Sequence, residues 1–208
     1  MTDEIITVNL PGDKNAVGDS QRFLIANSRY IVPAIVVAVT FIAYMGALRY
    51  DFVYDDENQI VQNPTVQSWT FAPRYFTDHL WFFKYPIGNY YRPIFLVWLA
   101  LNHTLFGLNP VGYHLTTILA HVMATLLVFY LARRLTGDLA TAALASALFG
   151  LHPAHIEAAA WISGVSEALL AISLIGSFLC YLRYRDRGEG RRKTWLVASL
   201  VLAALAVF

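Results

Sequence analysis

Residues 31–48 contain no Asp, Glu, Lys or Arg, and no other feature narrows the possible folds of this chain so far. A helix rises about 1.5 Å per residue, so a run of roughly 18 apolar residues approaches the ~30 Å needed to cross a bilayer. In lipid the backbone must satisfy its own hydrogen bonds, which leaves helices and closed barrels as spanning structures. The signature returns over 112–132, again without a charged residue, and over 162–182, broken only by Glu167. Shorter apolar runs cover 93–106 and 139–151, and another begins at Thr194. Composition agrees, with 57% hydrophobic and 14% charged residues against about 25% charged in an ordinary globular chain. The pattern predicts an all-α, polytopic helical membrane protein.

The chain divides into a polar tail over 1–28, a first transmembrane helix over 29–49, an outer loop over 50–108 and further transmembrane helices over 109–208. The tail has no apolar periodicity and reads as a disordered lead-in. No small-residue cleavage pattern follows the first span, so it reads as an uncleaved signal anchor. Pro33 then falls in its first turn, where proline is tolerated. The last apolar run stops without a flanking charge or cap, so the sequence reads as a fragment whose final helix is truncated. A net charge of +1 gives no electrostatic basis for nucleic-acid binding. The single cysteine, Cys180, excludes an internal disulfide framework and a multi-cysteine metal cage.

Orientation follows from the basic residues, which collect in cytoplasmic loops. If 93–106 crosses the membrane, Arg133 and Arg134 share a side with the acidic loop. If it lies flat in the interface, Lys14, Arg22, Arg29, Arg133, Arg134 and the basic run 183–193 all share one side. The second arrangement is the expected one, with a cytoplasmic N-terminus. The outer loop then carries its acidic residues and many aromatics, including Trp69, Tyr75, Trp81 and Tyr90, at headgroup depth, where amphipathic rings settle.

Three clusters on the outer side can carry chemistry. The first is Asp51, Asp55, Asp56 and Glu57. Adjacent carboxylates at a membrane surface repel one another and lose hydration, which drives at least one toward a general base; a solvated acidic loop that enforces orientation would look the same. The second is Asn89-Tyr90-Tyr91-Arg92-Pro93. A guanidinium opening a helix can clamp a phosphate, or it can snorkel and anchor the helix. The third is His152-Pro153-Ala154-His155-Ile156-Glu157, followed by Trp161, Ser163-Gly164 and Glu167. If Pro153 opens a helix, His152 and His155 share a face with Glu157 a turn away. Such residues can line a ligand groove, hold a divalent metal or anchor the interface. His114 and His121 on one span read as interhelical hydrogen-bonders. Asn102-His103-Thr104 is a glycosylation sequon on a helix too close to the membrane for easy access.

Taken in order, these motifs resemble a known family. Phe52-Val53-Tyr54-Asp55-Asp56-Glu57 after a first span, then Ile60 and Asn63-Pro64, looks like the opening of the GT-C superfamily of polytopic glycosyltransferases. Tyr91-Arg92-Pro93, Leu105-Phe106-Gly107-Leu108-Asn109-Pro110, Gly112-Tyr113-His114-Leu115, His121, His152-Pro153, Glu157 and Trp161-Ile162-Ser163-Gly164 narrow it. Together they are similar to the transmembrane and tetratricopeptide-repeat O-mannosyltransferases and their bacterial homologues.

The resemblance implies a GT-C-like fold with interfacial juxtamembrane helices in the first outer loop. It implies transfer of a sugar such as mannose from a polyprenyl-phosphate donor to a hydroxyl acceptor, typically protein Ser or Thr, with inversion. It maps Asp55 and Asp56 onto the catalytic acidic motif and Arg92 onto a donor-phosphate contact, although relatives often carry Lys-Pro-Pro there. Glu57, Tyr91, His152, His155, Glu157 and Glu167 would line the site. No cofactor is required by this chemistry, and no metal site is expected. The partners implied are the lipid-linked sugar, the acceptor and membrane lipid, and the family's C-terminal tetratricopeptide repeats do not occur within this sequence. The location implied is a bacterial cytoplasmic membrane, or the endoplasmic reticulum in a eukaryote. The alternatives are a transporter or flippase-like fragment using Glu167 and His121, and a non-catalytic membrane assembly protein.

Overall fold

The computed structural model describes residues 14–88, 90–186 and 189–207, with side chains over 27–88, 90–186 and 192–206. Residues 1–13 of the polar tail, the side chains of Lys14 and Arg22, and Asn89 of the second cluster lie outside this description. Among the described residues every regular element is helical, and three helices are long and apolar enough to cross a membrane: Asn27–Arg49, Pro110–Thr136 and Ile162–Asp186. The chain is an all-α polytopic membrane protein.

Helix α1, Lys14–Tyr44, ends in a 3-10 turn over Met45–Arg49. It starts well before the apolar run, so the tail is helical from Lys14 and is not wholly an irregular lead-in. Pro33 is accordingly interior to the helix, not in its first turn. The reason is that a helix can continue through polar sequence, where hydrophobicity sets the depth of insertion but not the start.

The segment between α1 and the next long helix contains a π-helical turn, Glu57–Val61, and a 3-10 segment, Trp69–Phe76, which Ser68 caps by accepting from the Thr70 N–H. It is a packed unit, more than the aromatic belt its composition suggests. Ile60, Val66, Tyr75 and Leu80 are buried in one cluster with Phe95, Leu96 and Leu99 of α2, Pro93–Phe106. Tyr75, fully buried, donates its hydroxyl to the Thr65 carbonyl at 2.5 Å. Leu96 and Leu99 have no exposed surface, and burying each stabilises the fold by about 1.5–3 kcal/mol. Helix α2 is 14 residues long, about 21 Å at 1.5 Å per residue and short of a full bilayer crossing.

A tight connection joins α2 to α3, Pro110–Thr136. Gly107 adopts φ +59, a left-handed backbone open to glycine, while Asn109 caps α3 by accepting from the Val111 N–H at 3.1 Å. Asn102 of the sequon is buried here, its Oδ1 accepting from the Thr116 hydroxyl at 2.6 Å. At the other end of α3, Gly137 takes φ +70 and Asp138 caps α4, Leu139–Leu151, by accepting from the Thr141 N–H at 2.6 Å. That hydrogen bond holds the exposed Asp138 carboxyl below its usual range.

Pro153 cannot continue α4, so the chain turns through Pro153–His155 into the short helix α5, Ile156–Ala160, with a bend of 50°. A second turn, Ile162–Gly164, leads into α6, Val165–Asp186, which packs on α7, Glu189–Val207. Helix α3 is the hub, against α1, α4, α5 and α6. His121 on α3 contacts the Gly150 carbonyl of α4 at 3.0 Å, the interhelical bond expected of it. Arg134 pairs with Asp186, tying the C-terminal ends of α3 and α6 together. The acidic loop, the start of α3 and the start of α6 meet at the opposite end.

Candidate functional site

The first turns after α1 decide which carboxylate faces where. Tyr54 has φ +52, the only non-glycine residue with positive φ among those described. Such a backbone costs a side-chain-bearing residue about 1–2 kcal/mol and tends to persist where function needs it. Past this twist, Asp55 is exposed and Asp56 is fully buried. Asp56 folds back to accept the Val53 N–H at 3.2 Å, and its other oxygen accepts from Ser163, from the N–H at 3.0 Å and the hydroxyl at 2.5 Å. Burial outweighs these bonds and pushes the Asp56 carboxyl above the usual carboxylate range.

Asp55 lines a cavity of about 360 Å³ with Gln59, Arg92, Glu157, Trp161 and Glu167; Leu80, Trp81, Tyr90, Ser163, Gly164 and Ser166 complete it. Its volume is at the lower end for ligand pockets, which span roughly 300–1,000 Å³. Arg92 donates to the Ser166 hydroxyl at 3.2 Å, and its guanidinium lies 5.8 Å from the centre of the Tyr90 ring. These contacts hold the guanidinium at the mouth of α2 against the first turn of α6. Glu157 reaches the same cavity because Gly164 lets the chain pass tightly: a Cβ there would collide with the Glu157 carbonyl.

Not every expected site residue arrives. Asp56 is not among the cavity-lining residues, because its hydrogen bonds turn it into the protein. Glu57 is exposed on the π-helical turn and is also absent from the lining. His152 and His155 do not line the cavity either. Pro153–His155 is a 3-10 turn and α5 begins only at Ile156, yet the two imidazoles still lie beside one another, their ring centres 6.2 Å apart. His152 Nδ1 accepts from the Ala154 N–H at 3.1 Å, while His155 packs against Phe149 and His121, with ring centres 4.5 and 5.6 Å away. Among the described residues no three His, Cys, Asp or Glu side chains converge as a metal ion would require. Tyr91 donates to the Phe76 carbonyl at 2.9 Å and lines a neighbouring groove.

That groove, about 550 Å³, is walled by apolar side chains of α2, α6 and α7, including Ile94, Phe95, Leu170, Leu174 and Leu205. It shares Arg92, Ser166 and Glu167 with the polar cavity. A third cavity, about 570 Å³, is lined by Tyr50, Val53, Tyr54, His114 and Ile156, and shares Asp55, Glu157 and Trp161 with the first. Gln59 and Ser166 had no signal in the sequence. Ser163-Gly164 stood out there as a motif, without an indication of what each residue does.

Residues 71–207 match the family described as dolichyl-phosphate-mannose-protein mannosyltransferase. The protein O-mannosyl-transferase Tmtc2 of Drosophila melanogaster is 34% identical over 176 residues, covering 80% of this chain and 19% of that protein. Drosophila Tmtc1 is 32% identical over 175 residues, 82% of this chain and 20% of its own length. Human protein O-mannosyl-transferase TMTC2 is 32% identical over 155 residues, 73% of this chain and 18% of that protein. The chain thus spans about a fifth of the length of these curated relatives. No solved structure matches it. On the family match and the coverage of these relatives, the chain belongs to the dolichyl-phosphate-mannose-protein mannosyltransferase family.

Proposed function

We propose that this chain supplies the donor-binding and catalytic outer-side site of a membrane glycosyltransferase that moves mannose from a polyprenyl phosphate to a protein hydroxyl. One observation carries the reading: a polar cavity holding Asp55 and Arg92 adjoins an apolar groove, and Arg92, Ser166 and Glu167 line both. A lipid-linked sugar phosphate has the same division. Its isoprenoid chain suits the groove of α2, α6 and α7, its phosphate suits Arg92, and its sugar suits the polar cavity.

Asp55 then takes the proton of the acceptor hydroxyl. The freed oxygen forms a bond to the anomeric carbon while the bond from that carbon to the phosphate oxygen breaks, its electron pair leaving with the phosphate. Attack from the far side inverts the centre. Arg92 meets the negative charge that develops on the leaving group, where a fixed cation lowers the barrier most. The acceptor enters by the third cavity, which reaches Asp55 and Glu157 without involving Arg92. Asp56 is a positioning residue. Glu167, on which a transporter reading leans, sits in the first turn of α6 at the cavity, not deep within a span.

The orientation that fits has the N-terminus and the basic Arg133, Arg134 and Arg183 end in the cytoplasm, and α2 lying in the outer interface. The test is mannose transfer by the full-length protein from a mannosyl polyprenyl phosphate. Asp55→Asn should lower the rate by about 10²–10⁴-fold, the usual contribution of a general base, and Arg92→Gln should lower it by a comparable order. Unchanged transfer in both variants would remove the assignment.

A further inference from the structure

A groove of about 610 Å³ is lined by α3, α6 and α7 at the end of the bundle opposite the polar cavity. Its apolar walls are Leu127 and Tyr130 of α3, Leu179 of α6 and Leu202 of α7, none of them buried. Gly176 leaves the floor open: a Cβ there would meet only the end of the Leu202 side chain, at 3.3 Å. About one turn beyond Tyr130 and Leu179 stand three exposed guanidiniums that line the same groove, those of Arg133, Arg134 and Arg183. Arg133 donates to the Gly137 carbonyl, Arg134 pairs with Asp186, and Arg183 lies 4.9 Å from the centre of a Trp195 ring. Each guanidinium has five N–H donors, so these contacts leave room for an anion. The carboxylates close by are Asp186, beside Arg134, and Asp138, within electrostatic reach of Arg133 and turned into the α4 cap. Neither lines the groove, so the charge that faces it is positive.

Helices α3 and α6 are long and apolar enough to cross a membrane, so the groove faces lipid and its arginine end stands at headgroup depth. A ligand that matches it joins one negative group to an apolar chain. A free anion leaves the apolar walls unfilled, and a zwitterionic headgroup brings an ammonium toward three guanidiniums. The donor lipid's phosphate belongs with Arg92 at the other end. We infer that the groove binds an anionic phospholipid of the surrounding bilayer, its phosphate held by Arg133 and Arg183 and one acyl chain lying along α6 toward Gly176. Basic pockets between membrane helices suit such headgroups, and a guanidinium meets phosphate oxygens two at a time. The bound lipid bridges α3 and α7 across α6, so it stabilises the bundle. This site stands apart from the donor reading and does not depend on it.

The experiment is native mass spectrometry of the full-length protein in detergent, titrated with phosphatidylglycerol and with phosphatidylcholine of the same acyl chains. Phosphatidylglycerol should bind at least about tenfold more tightly, and Arg133→Gln and Arg183→Gln should each weaken it about tenfold, as for a lost charged hydrogen bond. Arg185→Gln removes a charge from the same end of α6 but from outside the groove lining, and should leave binding unchanged. Gly176→Leu keeps every charge and fills the floor, so it should weaken phosphatidylglycerol too, and it decides the matter if an arginine variant fails to fold. Equal affinities for the two lipids, equal losses from Arg185→Gln and Arg183→Gln, or full binding by Gly176→Leu would each overturn the site. So would displacement of phosphatidylglycerol by an equal concentration of farnesyl phosphate, which would make the ligand a prenyl lipid. Retention of no lipid would overturn it as well, because another segment of the longer protein or a second copy would then fill the groove.

Discussion

Asp56 and Ser163 are 107 positions apart in sequence, and one carboxylate oxygen accepts both the N–H and the hydroxyl of the serine. This pair of hydrogen bonds from the loop after α1 to the turn before α6 holds the two halves of the cavity together, with Asp55 on one and Glu157, Trp161 and Glu167 close to the other.

Removing the hydroxyl should therefore loosen the site. Ser163→Ala loses a hydrogen bond to a charged group, worth about 1.5–3 kcal/mol. In a double-mutant cycle with Asp56→Asn the two losses should be strongly non-additive. Thermal unfolding of the four proteins measures this, and simple additivity would mean that the contact contributes little.

Asp56 should also leave a mark on the pH dependence of stability. Burial holds the folded carboxyl above its ordinary 3.8, so the folded protein keeps a proton that the unfolded chain has already released. The stability Asp56 contributes is thus greatest below that ordinary value. It declines as pH rises toward the folded pKa and is flat beyond. The difference between wild-type and Asp56→Asn melting curves across stepped pH should trace this decline; a difference that rises with pH would contradict it.

Gly164 admits no side chain. A methyl group there meets the Glu157 carbonyl, a backbone atom that cannot swing aside, and such overpacking costs roughly 1–3 kcal/mol. Gly164→Ala should lower the Tm and reduce transfer together, because the shift moves Glu157 relative to Asp55. A variant with wild-type Tm and activity would show that α5 yields freely.

Tyr54 pays a backbone cost that glycine would not. It is 86% exposed, so little packing is lost in Tyr54→Gly, and the relief of φ +52 offsets the added chain entropy to within about 1 kcal/mol. Tyr54→Val, β-branched, should be the less stable of the two by at least that amount. Comparing the two melting temperatures decides it.

The parts of this fold that were readable from sequence are those governed by one dominant effect. Charge-free runs mark α1 and α3, and a run broken only by Glu167 marks α6, because charge is costly in lipid. Proline at the start and glycine at the end delimit α2 as 93–106. The loop between α1 and α2 was not readable as a packed unit, since aromatics that bury against α2 have the same composition as aromatics that float at an interface. Tyr75 shows the difference only through its buried hydroxyl bond. Asp55 and Asp56 were indistinguishable because their opposite directions follow from the Tyr54 backbone, which no local pattern announces. His152 and His155 do come together, with ring centres 6.2 Å apart, but the 3-10 turn after Pro153 sets His155 against Phe149 and His121 and leaves both imidazoles off the cavity lining.

The Asp56–Ser163 contact also sets an order of events during synthesis. A ribosome that has released the loop after α1 has made a carboxylate whose burial partner, Ser163, lies 107 positions farther along the chain and has not yet been added. Until the turn before α6 emerges, that loop must remain hydrated and open, so the cavity closes late, as the bundle is completed, and a chain halted before Ser163 would hold Asp55 on an unanchored tether.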